Sequence, residues 1–489
     1  MVNTFLARER GYLRLTAAIG MLFLAACSFA PRYERPAIDL PQGDVEAGAS
    51  ASPQAQWWRR FNDPLLNDLV QEALLQNRDI LAAGERIEQA AALARTRLHD
   101  LFPRPSADAQ GGKDRLSSKV AGGPPPNANR VENYNYGITA AWELDFWGKY
   151  RNAYLGASAT LMQSAADRDA LALLVAGNVV KAYSALLTAR EKVRITEETV
   201  TQREKAERIQ RNAVEVGSGD EMALLRQSSE LEQARYSLSM ARLSEEYATS
   251  ALCLLIGRSP AAMMQQCLFE QLPSGYMLAV LPQAPEQLAF KLLEQRPDLR
   301  AAEYALMAEH FNIGVIRADY LPSVSISASR GSAAEATSDL GTGYSTTWRV
   351  LGGLHLPLDF WNTRFRELMA EARSRERAYA YEKAVQNAFR DVRDALRGMV
   401  RLQEAGSAIE REEKELARAV EVAGNRYRYG YADYMDVLDA GRSLLSVRLG
   451  QAEHRNVRVA AEVDLHMALG GGWSEGEYME KALEHEHAK

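Results

Sequence analysis

The chain contains one internal repeat, which limits the folds open to it more than any other feature. Leu144-Asp-Phe-Trp147 returns as Leu358-Asp-Phe-Trp361, 214 residues later. Further along, Val216-Gly217 has its counterpart in Tyr429-Gly430 at an offset of 213. Because the landmarks keep their order and nearly their spacing, we interpret the chain as a tandem duplication. Its two halves are predicted to cover 57–270 and 271–472.

Each half contains a segment in which residue types alternate with a period of two. Bulky or apolar side chains occupy the even positions from Tyr134 to Phe146, and the same parity holds from Trp348 to Phe360. Only an extended strand with two different faces gives this pattern. The length suits a transmembrane β-strand, although a half-buried strand of a soluble sheet remains an alternative. The strands that we predict lie at about 104–112, 132–146, 322–330 and 346–360.

Four strands are too few to close a barrel, and an open sheet edge cannot face lipid. If the strands cross a membrane, several chains must therefore share one barrel. Three chains would supply twelve strands, which is within the known range and wide enough for a channel.

The remaining segments are predicted to be helices, two of them too long for a compact domain. As single helices, the segments 149–214 and 363–429 would each be about 100 Å long. We predict return helices at 220–256 and 433–469, and shorter helices at Asp79–Leu101 and Asp298–Leu321. The predicted fold is an α+β membrane protein in which a trimeric twelve-stranded barrel continues into a tapering tube of antiparallel helices.

The first residues predict a secreted lipoprotein. Arg8, Arg10 and Arg14 precede a short apolar stretch that ends in Leu24-Ala-Ala-Cys27. An apolar run of about a dozen residues is too short to span a bilayer. Leu-Ala-Ala-Cys resembles the bacterial lipobox, which implies a signal peptide at 1–26 and acylation of Cys27. Ser28 stands where inner-membrane lipoproteins commonly have Asp, which favours the outer membrane.

Composition argues against several other functions. Removing residues 1–26, which carry a net charge of +2, takes the formal charge from −6 to −8, so nucleic acid is not an expected partner. We find no catalytic cluster, metal site or cofactor motif, and we predict that the protein is not an enzyme. Cys253 and Cys267 have 13 residues between them. They are either a disulfide or two small buried apolar residues.

Several motifs resemble the outer membrane factor (TolC-like) family, and within it the lipid-anchored OprM/CusC-type branch. The residues that carry the resemblance are Cys27 to Pro36, Trp57-Trp58, Leu144 to Gly148, Arg296-Pro-Asp-Leu-Arg-Ala-Ala-Glu303 and Leu469-Gly-Gly-Gly472. The resemblance implies a trimeric barrel in the cell outer membrane and a periplasmic α-helical barrel. It also implies a periplasmic adaptor protein and an inner-membrane pump as partners. Two flanking segments complete the predicted organisation, a lipidated extension at 27–56 and a polar C-terminal tail at 473–489.

The tips of the two predicted helical hairpins carry glycines. Gly217, Gly219 and Gly430 lie where a long helix must reverse into its return helix, and glycine tolerates the positive φ of such a turn. By resemblance to the family, these tips face the adaptor.

Candidate gate residues follow the second turn. The segment Asp436-Val-Leu-Asp439-Ala resembles the family's aspartate rings at the periplasmic entrance, and residues three apart share one helix face. Asp433 would add a further level, unless these acidic residues merely suit a helix N-terminus. Tyr427 matches a tyrosine that helps to keep the family's channels shut. Ala223 stands where the family's first turn carries an aspartate, so the locking bonds do not transfer in detail.

The function that the sequence predicts is an outer-membrane channel of a tripartite efflux system, with drugs or other toxic compounds as cargo. Metal-ion efflux and type I secretion are alternatives. A coiled-coil structural lipoprotein without a pore is a further alternative, but it gives no reason for paired strands of matching parity.

Overall fold

A computed structural model describes residues 30–37, 56–115, 130–264 and 296–471, together with a few isolated positions. Each half of the described chain contributes a pair of strands, a long helix and a return helix. The elements are α1 (Pro64–Gln76), α2 (Arg78–His99), β1 (Arg104–Arg115), β2 (Arg130–Leu144), α3 (Lys149–Glu215), α4 (Glu221–Leu255), α5 (Pro260–Met264), α6 (Pro297–Ala318), β3 (Ser323–Ala334), β4 (Thr346–His355), α7 (Phe360–Arg428) and α8 (Tyr434–Ala468). Short 3-10 helices cover Trp57–Phe61 and Thr337–Asp339.

The four strands form one antiparallel sheet in the order β1-β2-β3-β4. Pairing of β2 with β3 joins the two sequence halves, and β1 and β4 form the sheet edges. The register places Trp142 opposite Ile326 and Val324 opposite Leu354, so the apolar positions of neighbouring strands share a face. The alternation seen in the sequence therefore corresponds to the two faces of this sheet.

The first strand-to-helix junction lies at the repeated Leu-Asp-Phe-Trp motif. Strand β2 ends at Leu144, two residues before the predicted end of the strand at Phe146. The Asp145 carboxylate accepts hydrogen bonds of 3.0 Å from the backbone N–H groups of Tyr150 and Arg151. It thereby satisfies donors at the start of α3 that have no partner within the helix. Because Asp145 caps the helix, the strand cannot continue through it.

The second junction corrects the predicted strand at about 346–360. Strand β4 ends at His355, and α7 begins at Phe360 rather than at residue 363. Pro357 has no N–H to donate to a strand ladder. Asp359 then accepts a 3.1 Å hydrogen bond from the backbone N–H of Asn362, as a helix cap does. Alternating apolar residues continue past the strand, but the backbone there is no longer extended.

The described residues fall into two compact units, each built from segments of both sequence halves. The first unit comprises the described residues within Met1–Ile38, Arg86–Ser164 and Ala302–Glu382. The second unit comprises the described residues within Asp39–Glu85, Ala165–Ala301 and Lys383–Lys489. The halves of the duplication are therefore not separate domains.

The second unit has a core in which the Trp57-Trp58 pair is buried. Residues of α1, α3, α4 and α8 surround these two side chains. The Asp63 carboxylate caps α1 through Leu66 N and also accepts a 3.0 Å hydrogen bond from the buried Tyr183 hydroxyl. The two tryptophans lie within 6 Å of one another, in an edge-to-face arrangement. This packing gives a structural role to a motif that the sequence identified only by resemblance.

Helix α3 supplies much of this core. It contains an 18-residue window of mean hydropathy 1.7, long and apolar enough for a membrane span, but 61% of that window is buried inside the protein. Its buried face includes Ala176, Val179 and Val180. Burial against protein explains why this stretch is so apolar.

The first unit includes an N-terminal strap, defined as residues 30–37, which lies against α6. Tyr33 and Arg35 both donate hydrogen bonds to the Glu303 carboxylate, at 3.3 and 2.9 Å. Nε2 of His310 is 2.6 Å from the carbonyl oxygen of Pro31. A Cβ at Gly314 would lie only 2.8 Å from that of Ala30, so the close approach requires glycine. Burial beside Glu303 raises the pKa of Tyr33 to about 12.

Candidate functional site

The two turns that join long and return helices have the same backbone geometry. Gly217 and Gly430 adopt φ values of +75° and +77°. The N–H of the next residue donates to a carbonyl five positions earlier, at 2.9 Å for Ser218 and 2.8 Å for Tyr431. This is the Schellman motif, in which a left-handed glycine ends a helix. Gly219 allows a different close contact, since a Cβ there would lie 2.7 Å from Val214 N.

An aspartate begins each return helix. Asp220 accepts hydrogen bonds from the backbone N–H groups of Met222 and Ala223, and Asp433 accepts one of 3.1 Å from that of Met435. Both side chains therefore act as N-caps. Capping is a sufficient reason for an acidic residue at position 433. Asp436, in the first turn of α8, also suits a helix N-terminus, whereas Asp439 lies in the second turn.

Asp436 and Asp439 lie on the first two turns of α8 and are exposed. Asp436 has no ion-pair partner in the described part of the chain. Asp439 is 3.4 Å from Nη1 of Arg442, one helical turn further along. The two carboxylates are three residues apart, so they occupy one face of the helix.

Arg442 extends from Asp439 towards a second helix. Its guanidinium also pairs with Glu230 of α4, and Glu230 in turn is 3.9 Å from Nη2 of Arg203 on α3. The hydrogen bond from Arg442 holds the pKa of the Glu230 carboxyl below its ordinary value. We call Arg203, Glu230, Asp439 and Arg442 the tip network. It links three helices, and its members lie 9 to 14 residues from the turn glycines, about 14–21 Å along the helices.

Sequence reasoning found only one member of the tip network. The spacing of Asp439 and Arg442 was a usable signal, because oppositely charged residues three apart on a helix are neighbours. Arg203 and Glu230 gave no such signal. Their partners lie on other helices, so finding them requires knowledge of how the helices are aligned.

Tyr427 packs its ring against Tyr434, with centroids 5.0 Å apart in an edge-to-face arrangement. Burial raises the pKa of the Tyr434 hydroxyl, while nearby Arg203 acts in the opposite direction. The contact of Tyr427 with Tyr434 is made through the two rings. The pair joins the last turn of α7 to the first turn of α8.

Apolar and aromatic side chains are exposed around both turns. Val216 is 78% exposed and Tyr431 77%. Tyr429, Met222 and Leu225 are also more than half exposed. Large exposed apolar side chains clustered in this way mark a surface that contacts another molecule.

The predicted cysteine and lipid sites are only partly within the described residues. Cys253 is buried in the core of the second unit, and burial raises the pKa of its thiol. Cys267 and Cys27 lie outside the described residues, so the disulfide and the lipid anchor stay predictions. Among the residues that the structure describes, no group of three or more His, Cys, Asp or Glu side chains could hold a metal ion.

Solved structures of outer-membrane channels share this fold. The Campylobacter jejuni outer membrane channel CmeC superposes with a TM-score of 0.86 at 25% identity, covering 94% of this chain and 98% of that one. A crystal structure of CusC gives 0.79 at 27% identity, covering 91% and 100%. The fold is that of the trimeric outer-membrane channels, with four strands per chain.

Sequence comparison gives the family. The profile of the outer membrane efflux proteins matches residues 69–258 and 288–471, so the chain belongs to that family. It is 30% identical over 471 residues to the solvent efflux pump outer membrane protein SrpC of Pseudomonas putida, covering 93% of this chain and 97% of that protein. It is 29% identical over 459 residues to the cation efflux system protein CusC of Escherichia coli (strain K12), covering 92% and 97%. The chain is an efflux channel of the outer membrane and not an enzyme.

Proposed function

We propose that three copies of this chain form a channel whose periplasmic entrance is gated at the α7–α8 turn. Threefold symmetry would place Asp436 and Asp439 in two stacked levels of carboxylates, which favour cations. The tip network would hold each pair of helical hairpins together and so keep the entrance narrow. The observation that carries the proposal is the pairing of Arg442 with both Asp439 and Glu230, which connects the two helical hairpins above their turns.

The energy of this network suits a gate that must open. Arg442 is half exposed, so each pairing contributes about 1 kcal/mol or less. Three copies acting together would favour the closed state by up to about 3 kcal/mol, roughly a hundredfold in population. An adaptor that binds the tips can supply a free energy of this size.

Conductance in planar bilayers tests the gate. Arg442→Ala and Glu230→Gln should each raise the open fraction of the purified channel, by up to about a hundredfold. The double variant should add little, because both changes remove one interaction. Ser229→Ala is the matched control, since Ser229 is the counterpart of Arg442 in the first half. A trimer whose conductance stays at the wild-type value in both single variants contradicts the proposed gate.

We also propose that the exposed residues Val216 and Tyr431 contact a periplasmic adaptor, which links the channel to an inner-membrane pump. Val216→Asp and Tyr431→Asp should then abolish efflux in cells and leave bilayer conductance intact. Loss of both activities would indicate a folding defect, and retention of both would contradict an adaptor contact at these residues.

We propose that Cys27 carries the lipid anchor. The N-terminal strap, which begins three residues after Cys27, would hold the anchored end of the chain against α6. Cys27→Ser should abolish incorporation of labelled palmitate, whereas Cys253→Ser should not. Equal labelling of both variants would exclude Cys27. The strap supports this proposal because Glu303, His310 and Gly314 hold it against α6.

The proposed cargo is drugs or other toxic organic compounds, as the relative named for solvent efflux suggests. Metal-ion efflux is the second candidate, since the relative named for cation efflux is almost equally similar, and type I secretion is the third. A deletion strain separates them. Complementation should restore growth on antibiotics and solvents. Restored growth on toxic metal salts alone would favour metal-ion efflux, and restored growth on neither would favour type I secretion.

A further inference from the structure

The two faces of the sheet differ in chemistry. One face carries the even-numbered residues of β2, β3 and β4, and we call it the apolar face. Trp348, Leu354 and Ile138 on this face are 76%, 73% and 64% exposed. The opposite face of β3 carries Ser323, Ser325, Ser327 and Ser329 in succession. In an outer-membrane channel, the apolar face contacts lipid and the serine face contacts water.

The sheet also has two different ends. All four strands meet helices at one end, where Leu144, Ser323 and His355 lie. The family fold places helices in the periplasm, so the opposite end of the sheet lies in the outer leaflet. Along β3, Arg330 is six residues beyond Val324, about 20 Å at 3.3 Å per residue. Because barrel strands are tilted by about 40°, this corresponds to a height of about 15 Å, in the outer half of an apolar band about 25 Å tall. Arg330 lies one residue pair on the same face below Tyr136, so its long side chain can extend towards the outer boundary of the band.

Arg330 is a charged residue on the apolar face. The register places it opposite Ile138 on one side and opposite Trp348 on the other. It is exposed, and it has no ion-pair partner among the residues that the structure describes. A guanidinium on the lipid side of a barrel is tolerated only where it can reach the polar boundary of the bilayer.

More basic residues follow on the same face towards the loop end. Arg130 is paired in register with Arg115, and Lys113 with Glu132. Lys113 and Glu132 neutralise each other through a 2.8 Å ion pair. Tyr134 and Tyr136 lie between this basic group and Ile138. Aromatic residues and then cations mark the boundary between hydrocarbon and headgroups.

We propose that Arg330, flanked by Trp348, binds a phosphate of lipid A, the phosphorylated glycolipid base of lipopolysaccharide in the outer leaflet. Arg115 and Arg130 contact the polar groups above it. Guanidinium groups pair with phosphate oxygens through two parallel hydrogen bonds, and the exposed indole packs against acyl chain. Charge complementarity selects this occupant, since the outer part of this face carries Arg115, Arg130 and Arg330, while Lys113 and Glu132 neutralise each other.

Arg349 offers a matched control. It follows Trp348 directly and pairs in register with Ser329, so it lies at the same height as Arg330 on the serine face. Both arginines are exposed. The same substitution removes one positive charge at either position, but only Arg330 lies on the apolar face.

Lipid binding by the full chain, purified in detergent and free of lipopolysaccharide, tests the proposal. Native mass spectrometry with added lipid A should show binding to the wild type and to Arg349→Gln, and about tenfold weaker binding to Arg330→Gln. Lipid A lacking its phosphates should bind all three proteins equally weakly. Undiminished binding to Arg330→Gln, or an equal loss in Arg349→Gln, would overturn the proposal.

A second measurement separates this inference from the proposed gate. The inference rests on the outer-membrane location of the family and not on the tip network. Bilayer conductance and thermal unfolding of Arg330→Gln should match the wild type. If conductance falls while lipid A binding is unchanged, the residue acts in the channel and the lipid site is wrong.

Discussion

The α3–α4 turn and the α7–α8 turn have the same backbone but differ in the side chains around them. Both have a left-handed glycine, a Schellman hydrogen bond and an aspartate cap. At an offset of 213, however, Ala223 corresponds to Asp436 and Arg226 to Asp439. The duplication thus preserved the hydrogen bonds that reverse the chain, whereas the candidate gate residues occur only in the second half. A second contrast lies at the far ends of the return helices, where Cys253 corresponds to His466.

The largest expected effect is a pH-dependent loss of stability caused by His466. Its ring stacks on Trp57 with centroids 5.0 Å apart, and burial lowers the pKa of His466 to about 4, with Arg60 contributing. In the unfolded chain the pKa of His466 is near 6.5, so the unfolded state binds a proton at a higher pH than the folded state does. Stability is therefore full above pH 6.5 and is lost as the pH falls towards 4, by on the order of 3 kcal/mol.

Thermal unfolding measured between pH 7.5 and pH 4 checks this. His466→Gln should flatten the pH dependence, whereas His99→Gln, at an exposed site on α2, should leave it unchanged. An unchanged dependence in His466→Gln would mean that other groups destabilise the core in acid. Cys253, the counterpart, should stay unreactive to maleimide until the protein unfolds.

Substitution of the two turn glycines tests the shared backbone. Gly217→Ala and Gly430→Ala should each cost about 1–2 kcal/mol locally, because an L-residue is strained at positive φ even though space is open at both sites. Hydrogen exchange of the turn amides measures the change. Gly424→Ala, inside α7 and also facing open space, should have the opposite sign. Unequal losses of local stability in Gly217→Ala and Gly430→Ala would show that the two turns are not equivalent.

The two caps should also behave alike. Asp220→Ala and Asp433→Ala should each destabilise the start of a return helix by about 1 kcal/mol, since each leaves backbone donors without a partner. The same exchange measurement applies. Cation selectivity should not change in either variant. A loss of selectivity in Asp433→Ala alone would show that Asp433 forms a third carboxylate level.

The smallest expected effect concerns ion selectivity, because the two halves differ in charge at the positions of Asp436 and Ala223. Asp436→Asn should reduce the preference of the open channel for cations, and Ala223→Asp should increase it by adding carboxylates to the first turn. Each change should be about 1 kcal/mol or less, because the sites are in water. Reversal potentials in a salt gradient, recorded in the Arg442→Ala background, give the permeability ratio. No response in either variant would remove the carboxylates from the conduction path.

More of the fold than of the candidate site could be predicted from the sequence. Alternation fixes the face of each strand residue, so the shared parity of the strands could be predicted, whereas the register, with Trp142 opposite Ile326 and Trp348 opposite Arg330, came only from the structure. Helix lengths followed from the absence of breakers. Where the prediction was wrong, at residues 356–360, Pro357 and the Asp359 cap ended the strand within an apolar alternation. The pairing of Arg442 with Glu230, and of the strap with Glu303, depends on contacts between distant segments, which no local pattern encodes.

The open edges of the sheet have a consequence for biogenesis. In one chain, β1 and β4 each have a single neighbour, so two rows of backbone N–H and C=O groups lack strand partners. Hydrocarbon cannot satisfy those groups, so a lone copy is excluded from the bilayer. Insertion and assembly must then coincide, and the rate of channel formation should rise steeply with the concentration of unassembled subunits. Until it is assembled, each subunit exposes edges that can pair wrongly, which makes it a natural substrate for holding chaperones.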